Sequence, residues 1–164
     1  MFAIQKHLCK WGLILENKVC CCFGHRDIWG SVPSLTDVLE KLIVEENVTI
    51  FMTGGMGDFD GKFASAVRTL KRKYSDIKLL LVKPYFSGEL NTNKEYYEYM
   101  YDEVVIPDVV AGVHPKSAIT KRNRWMVEKS DIILYYIQRD FGGAYTAIKY
   151  ATKLGKKTIS VLEK

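Results

Sequence analysis

Thr49-Ile50-Phe51-Met52-Thr53-Gly54-Gly55-Met56-Gly57-Asp58 is the stretch on which the fold turns. Its first four residues are a compact apolar run of strand length, and the glycines break that run. Beyond them Phe63, Ala66, Val67, Leu70 and Tyr74 recur at helical spacing. A strand, a glycine turn and an amphipathic helix in succession predict the first half of a βαβ unit. The turn also has chemistry of its own. Glycine lets backbone N–H groups approach an anion without intervening Cβ atoms, and the following helix adds unsatisfied N–H groups and the positive end of its dipole. Three glycines in four residues exceed what a plain tight turn requires. Thr53, Gly54, Gly55, Met56 and Gly57 are therefore candidate ligand contacts.

The same alternation extends outward in both directions. Upstream, Val19 to Phe23 is an apolar run, and Ser34 is placed to cap a helix marked by Leu35, Val38, Leu39, Leu42 and Ile43. Downstream, Ile77 to Val82 predicts a third strand, Asn93 to Tyr101 a helix, and Glu103 to Ile106 a short fourth strand. Ile119 to Lys129 then predicts a helix, Ile132 to Ile137 a fifth strand, Ala144 to Leu154 a helix stopped by Gly155, and Thr158 to Leu162 a last strand. Strands that are apolar throughout are covered on both faces. The expectation is an α/β, Rossmann-like, doubly wound and mainly parallel sheet flanked by helices. With 164 residues there is room for one domain, 18–164, preceded by an arm or extra strand at 1–17.

Bulk properties narrow the function classes. Hydrophobic residues make up 48% and charged residues 26%, so the chain is neither disordered nor membrane-spanning in character. Lys6, Lys10 and Trp11-Gly12 interrupt the N-terminal stretch, which therefore does not read as a signal peptide. Cys9 stands alone and Cys20-Cys21-Cys22 are consecutive, which suits neither a disulfide framework nor zinc. Consecutive strand residues point to opposite faces, so the triplet reads as small hydrophobes on both sides of a buried strand. A reduced, cytoplasmic setting follows, with no metal, no cofactor and no membrane partner. The formal net charge of +5 favours anionic ligands in general. Its basic residues are scattered over Lys71-Arg72-Lys73, Lys121-Arg122 and Lys156-Lys157 rather than gathered in one patch.

Ligands of open parallel sheets bind beyond the carboxyl ends of the strands. Those ends carry Gly24-His25-Arg26-Asp27, the glycine turn already quoted, Pro84-Tyr85-Phe86, and Asp140-Phe141-Gly142-Gly143-Ala144-Tyr145-Thr146. Gly142 and Gly143 repeat the logic of the first turn, with the Thr146 hydroxyl in the first helical turn after them. Arg26 offers bidentate hydrogen bonds to phosphate or carboxylate, and His25 a ring for stacking or hydrogen bonding. Arg122 and Asn123 belong to a helix that faces the same cleft, while Arg124 and Trp125 are expected to face outward or pack locally. Tyr85 or Tyr97 is placed to cover a base or ribose, and His114 reads as an ordinary loop residue.

In this order the motifs Cys22-Phe23-Gly24-His25-Arg26, Thr53-Gly54-Gly55-Met56-Gly57, Arg122-Asn123-Arg124-Trp125-Met126-Val127 and Gly142-Gly143 through Tyr150-Ala151 resemble the YpsA-like branch of the SLOG superfamily. Related branches are the LOG cytokinin-activating hydrolases and the DNA-processing protein DprA. The resemblance implies a Rossmann-like fold that binds nucleotides or nucleotide-derived molecules, often as a homo-oligomer. It marks Gly24, His25, Arg26, Gly54, Gly55, Gly57, Arg122, Asn123, Gly142, Gly143 and Thr146. LOG hydrolases carry G-G-x-G-T-x-x-E, whose glutamate takes part in N-glycosidic cleavage. Here the stretch ends in Lys149, and a cation cannot stabilise an oxocarbenium-like charge.

Three functions remain in view. Binding or sensing a nucleotide or nucleotide-derived, phosphate-bearing small molecule accounts for both glycine turns and the missing glutamate. A nucleotide-processing hydrolase acting on an N-glycosidic or phosphoester bond would draw on Asp58, Asp60 or Glu128 as acid or base, although Asp58 and Asp60 also suit helix capping. A DprA-like binder of single strands would stack bases on Tyr85, Tyr96, Tyr97, Tyr99 and Tyr101. Glu95, Glu98, Asp102 and Glu103 surround those rings with negative charge and make nucleic acid an unfavoured partner.

Overall fold

In the computed structural model, which describes residues 17–28 and 30–162, the apolar runs become six parallel strands. They are β1 (Lys18–Gly24), β2 (Val48–Thr53), β3 (Lys78–Val82), β4 (Glu103–Val105), β5 (Ile132–Tyr136) and β6 (Lys157–Ser160), in the spatial order β4-β3-β2-β1-β5-β6. The connecting helices are α1 (Leu35–Glu46), α2 (Asp58–Lys71), the short α3 (Glu89–Thr92) and α4 (Lys94–Met100), α5 (Pro115–Lys129) and α6 (Gly143–Lys153). This is the doubly wound α/β sheet that the continuous apolar strands predicted.

The cysteine triplet explains how the two faces are filled. Cys20 and Cys22 join one core with Leu39, Phe51, Phe63 and Tyr136 beneath α1 and α2. Cys21 points the other way, into a core with Met52, Ile133, Trp125 and Ala147 beneath α5 and α6. All three thiols are buried, and burial pushes each pKa up, that of Cys21 to about 12. They therefore pack as small apolar side chains and supply no thiolate. Burying each large core residue, such as Leu39 or Phe63, contributes about 1.5–3 kcal/mol.

Several local expectations change. α5 starts at Pro115, four residues before the apolar periodicity begins, because His114 caps it: its Nδ1 accepts from the Lys116 amide at 3.4 Å. His114 is thus a cap rather than an ordinary loop residue. Ser34 occupies the cap position of α1 without any side-chain hydrogen bond there. Trp125 is a core residue, while Arg124 packs locally over the Tyr150 ring. The tyrosine-rich segment is two short helices rather than one, and Tyr97 is buried against Leu81 and Leu90. The expected arm at 1–17 and its Cys9 lie, save Asn17, outside the described residues.

The strand order fixes where a ligand can sit. From β1 the chain steps outward through β2, β3 and β4, then returns to the other flank of β1 as β5. The loops leaving β1 and β5 therefore run to opposite faces of the sheet, which opens a crevice between them.

Candidate functional site

At that crevice lies a cavity of about 370 Å3, lined by Gly24, His25 and Arg26 after β1, by Gly54, Met56 and Asp60, by Arg122 and Asn123 of α5, and by Arg139 through Ala144 in part. The two loops are tied to each other across it. His25 is buried, and its Nε2 accepts from the Arg139 amide at 3.1 Å. Burial and the neighbouring Arg139 cation hold the His25 pKa below its ordinary value, so the ring is neutral with its proton on Nδ1. His25 therefore positions the β5–α6 loop.

The glycine turn after β2 is stabilised from within the protein. Met56 N–H donates to Asp60 Oδ2 at 2.8 Å, and Gly55 N–H donates to Thr53 Oγ1 at 3.2 Å. Asp60 stands in the third position of α2 and reaches back past its start, much as the acid of a capping box does. Its other oxygen accepts from the Cys22 thiol at 3.6 Å. Burial pushes the Asp60 carboxyl up to about 6, against the opposing pull of the Met56 amide and the Arg122 cation. Gly57 is required here on two counts. Its φ is 110°, and a Cβ would fall 2.5 Å from the Arg26 Cα.

Arg122 is buried, and its donors are committed. Nη1 donates to Gly54 O at 3.2 Å and to Val82 O at 2.6 Å, Nη2 to Met56 Sδ at 3.3 Å, and Nε to Asn123 Oδ1 at 2.9 Å. Gly54 has no Cβ because one would meet the guanidinium at 2.5 Å. Arg122 thus clamps the ends of β2 and β3 behind the cavity wall.

The glycine turn after β5 is different. Gly142, with φ 97°, opens α6 with no side-chain cap, and Gly142, Gly143 and Ala144 line the cavity. Thr146 does not cap the helix: its hydroxyl donates to Gly142 O at 3.0 Å, and the residue is exposed. Arg26 and Arg139 flank this turn, and the Arg139 guanidinium rests 5.3 Å from the centre of the Phe141 ring, which is 61% exposed.

The cavity thus brings together Gly24, His25, Arg26, Gly54, Met56, Arg122, Asn123, Gly142, Gly143 and, from the carboxylates, Asp60. Thr53, Gly55, Gly57 and Thr146 shape the turns without lining it, and Tyr85 is exposed and not part of the lining. Asp58 starts α2 outside the lining, its amide donating to Arg26 O at 2.9 Å. Glu128 sits at the far end of α5, accepting from Tyr150 Oη at 2.6 Å. Lys149 lies with its ammonium over the Tyr145 ring. Arg139 and Phe141 are among the lining residues not singled out as ligand contacts from the sequence; an arginine and an aromatic shortly before a glycine pair was the available signal. No set of three or more His, Cys, Asp or Glu among the described residues is placed to hold a metal ion. Nor is any described helix long and apolar enough to cross a membrane.

Comparisons with known proteins agree with this fold. The uncharacterized SPbeta prophage-derived protein YoqJ of Bacillus subtilis (strain 168) is 28% identical over 134 residues, covering 73% of this chain and 78% of YoqJ. Among solved structures, DNA processing protein A (DprA) from Streptococcus pneumoniae superposes with a TM-score of 0.59 at 17% identity, over 88% of this chain and 50% of DprA. DprA from Helicobacter pylori, described for its single-stranded DNA binding mode, superposes with a TM-score of 0.64 at 15% identity, over 90% of this chain and 66% of that one. The chain thus spans half to two thirds of the DprA chains whose fold it shares.

This likeness overturns the expectation that nucleic acid is an unfavoured partner. The carboxylates behind that expectation are partly neutralised, because Asp102 pairs with Lys71 and Glu98 with Lys94. They also lie away from the cavity between β1 and β5. Residues 32–161 match the YspA SLOG family, and the chain is a member of that family.

Proposed function

We propose that the cavity between β1 and β5 binds the phosphate-bearing end of a nucleotide or nucleotide-derived molecule. The observation that carries this reading is the start of α6: a helix N-terminus without a side-chain cap forms the cavity wall, with Arg26 and Arg139 beside it. Unsatisfied N–H groups, the helix dipole and two guanidinium groups converge there on one anion. The turn after β2 contributes differently, since the Asp60 carboxylate already takes its Met56 amide. It supports the wall, and the phosphate belongs at Gly142-Gly143. Phe141 offers an exposed ring at the mouth for a base. A cavity of about 370 Å3 lies within the roughly 300–1,000 Å3 of small-ligand sites.

The likeness to DprA favours a second reading, in which the phosphate belongs to single-stranded DNA rather than to a free nucleotide. Calorimetry with AMP, ADP-ribose and ribose 5-phosphate, beside a fluorescent oligo-dT, tests both. Micromolar binding by a small nucleotide supports the first reading. Binding only by the oligonucleotide, weakening steeply with salt, supports the second. Failure of every phosphate-bearing probe to bind below millimolar concentration removes the proposal.

A further inference from the structure

A larger hollow, about 570 Å3, lies between the C-terminal half of α2 and the end of α4. Because α2 runs away from its glycine turn, this hollow sits toward the opposite edge of the sheet, next to the residues that enter β4. Its wall includes Arg68, Lys71 and Arg72 from α2 and its end, with Tyr99 facing them from α4. Arg68 and Arg72 stand four residues apart, one above the other on one helical face.

The charges in this hollow are unevenly matched. Lys71 pairs with Asp102, and Glu98 pairs with Lys94 at 3.4 Å. Neither arginine has a carboxylate partner among the described residues. The Nη1 of Arg68 is buried and has no hydrogen-bond partner among the described residues. A guanidinium nitrogen that has lost water without gaining an acceptor is costly, and turning the Arg68 guanidinium toward the hollow, where an acceptor from outside the chain can meet it, removes that cost. Across from it Tyr99 is 86% exposed, a large ring with no packing role.

We infer that this hollow is a second ligand site, for a phosphate-bearing ligand with a flat ring, of the nucleotide class. A phosphate draws the Arg68 guanidinium toward the hollow and pairs with it and with Arg72, and the ring lies on Tyr99. Two unpaired guanidinium groups suit a doubly charged phosphate better than a single carboxylate. The inference is independent of the function proposed above, since the two sites share no residue.

Amide chemical shifts of the full chain, titrated separately with AMP and with inorganic phosphate, test it. AMP is expected to move the amides of Arg68, Thr69, Arg72 and Tyr99 in a saturable way. Its affinity there exceeds that of phosphate at least about fivefold, the effect of one stacked base. Arg72→Gln weakens these shifts at least about tenfold, whereas Arg139→Ala leaves them intact. Shifts confined to the Gly142–Ala144 turn overturn the inference, as do equal affinities for AMP and phosphate, or an unchanged affinity in Arg72→Gln. Shifts at α2 and α4 without any at Gly142 leave this inference standing and count against AMP as the ligand of the other cavity.

Discussion

The Asp60 carboxylate lies 2.8 Å from the amide nitrogen of Met56, so an anion from the chain itself holds the glycine turn after β2. That carboxylate is buried, with the Arg122 cation and the Cys22 thiol as its other neighbours. The relationship couples the ionisation of one side chain to the shape of the cavity wall.

Burial raises the Asp60 carboxyl in the folded chain from 3.8 to about 6. The native state therefore binds more protons than the unfolded state between these values, and stability falls as pH rises through that window. About two units correspond to about 3 kcal/mol. Asp60→Asn keeps an oxygen for the Met56 amide and removes the titration. Denaturant unfolding at a series of pH values should show wild type losing about 3 kcal/mol relative to Asp60→Asn between about pH 3.5 and pH 7, with little change above. Parallel stability curves for the two proteins would refute the assignment.

Arg122 is the other half of this arrangement. Replacing it by Met leaves the Gly54 and Val82 carbonyls without their donor and Asp60 without its cation. A buried carbonyl left without its donor costs about 1–3 kcal/mol. Asp60 can take up a proton once the cation has gone, so the loss should be clearly smaller at pH 5 than at pH 7. An equal loss at both pH values in urea unfolding would show that only packing was at stake.

The scaffold was largely legible in the sequence because its signals are local. Apolar strands such as Val19 to Phe23 and Ile132 to Tyr136 declare two covered faces, and the helices between them declare their apolar stripes. The site was legible only as a neighbourhood. Sequence places Gly54-Gly55-Met56-Gly57 and Gly142-Gly143 at the same sheet edge, and both are there. It cannot show that Asp60 fills the first turn or that Arg122 spends its donors on Gly54 and Val82, since those bonds depend on tertiary placement. Arg139 escaped for the same reason: its place beside His25 exists only once β5 returns next to β1.

Two glycines of the α2 region should respond in opposite directions to the same substitution. At Gly57 a φ of 110° and the approach of the Arg26 Cα both oppose a side chain. Gly57→Ala should cost about 2 kcal/mol or more, from backbone strain of about 1–3 kcal/mol plus the clash, and should disturb the Asp58-to-Arg26 hydrogen bond. At Gly61, inside α2, an added Cβ meets nothing within 4 Å. Gly61→Ala should stabilise by about 0.5–1 kcal/mol through helix propensity. Guanidinium unfolding of both variants checks the pair, and a neutral Gly57→Ala would refute the role given to that turn.

Arg139 is where binding and stability should separate. Its amide holds His25, a bond that survives truncation of the side chain, while its guanidinium rests on the exposed Phe141 ring. Arg139→Ala should leave the unfolding midpoint within error. A lost charge-assisted hydrogen bond is worth about 1.5–3 kcal/mol, so AMP affinity in this cavity should fall about 10- to 100-fold. Thr146→Ala is the contrasting variant. Its hydroxyl is bonded to Gly142 O and lies outside the lining, so affinity should stay within about twofold. Were calorimetry to find the larger loss in Thr146→Ala, the phosphate would have to sit on the outer side of the turn, and Arg139 would be a surface charge with no part in binding.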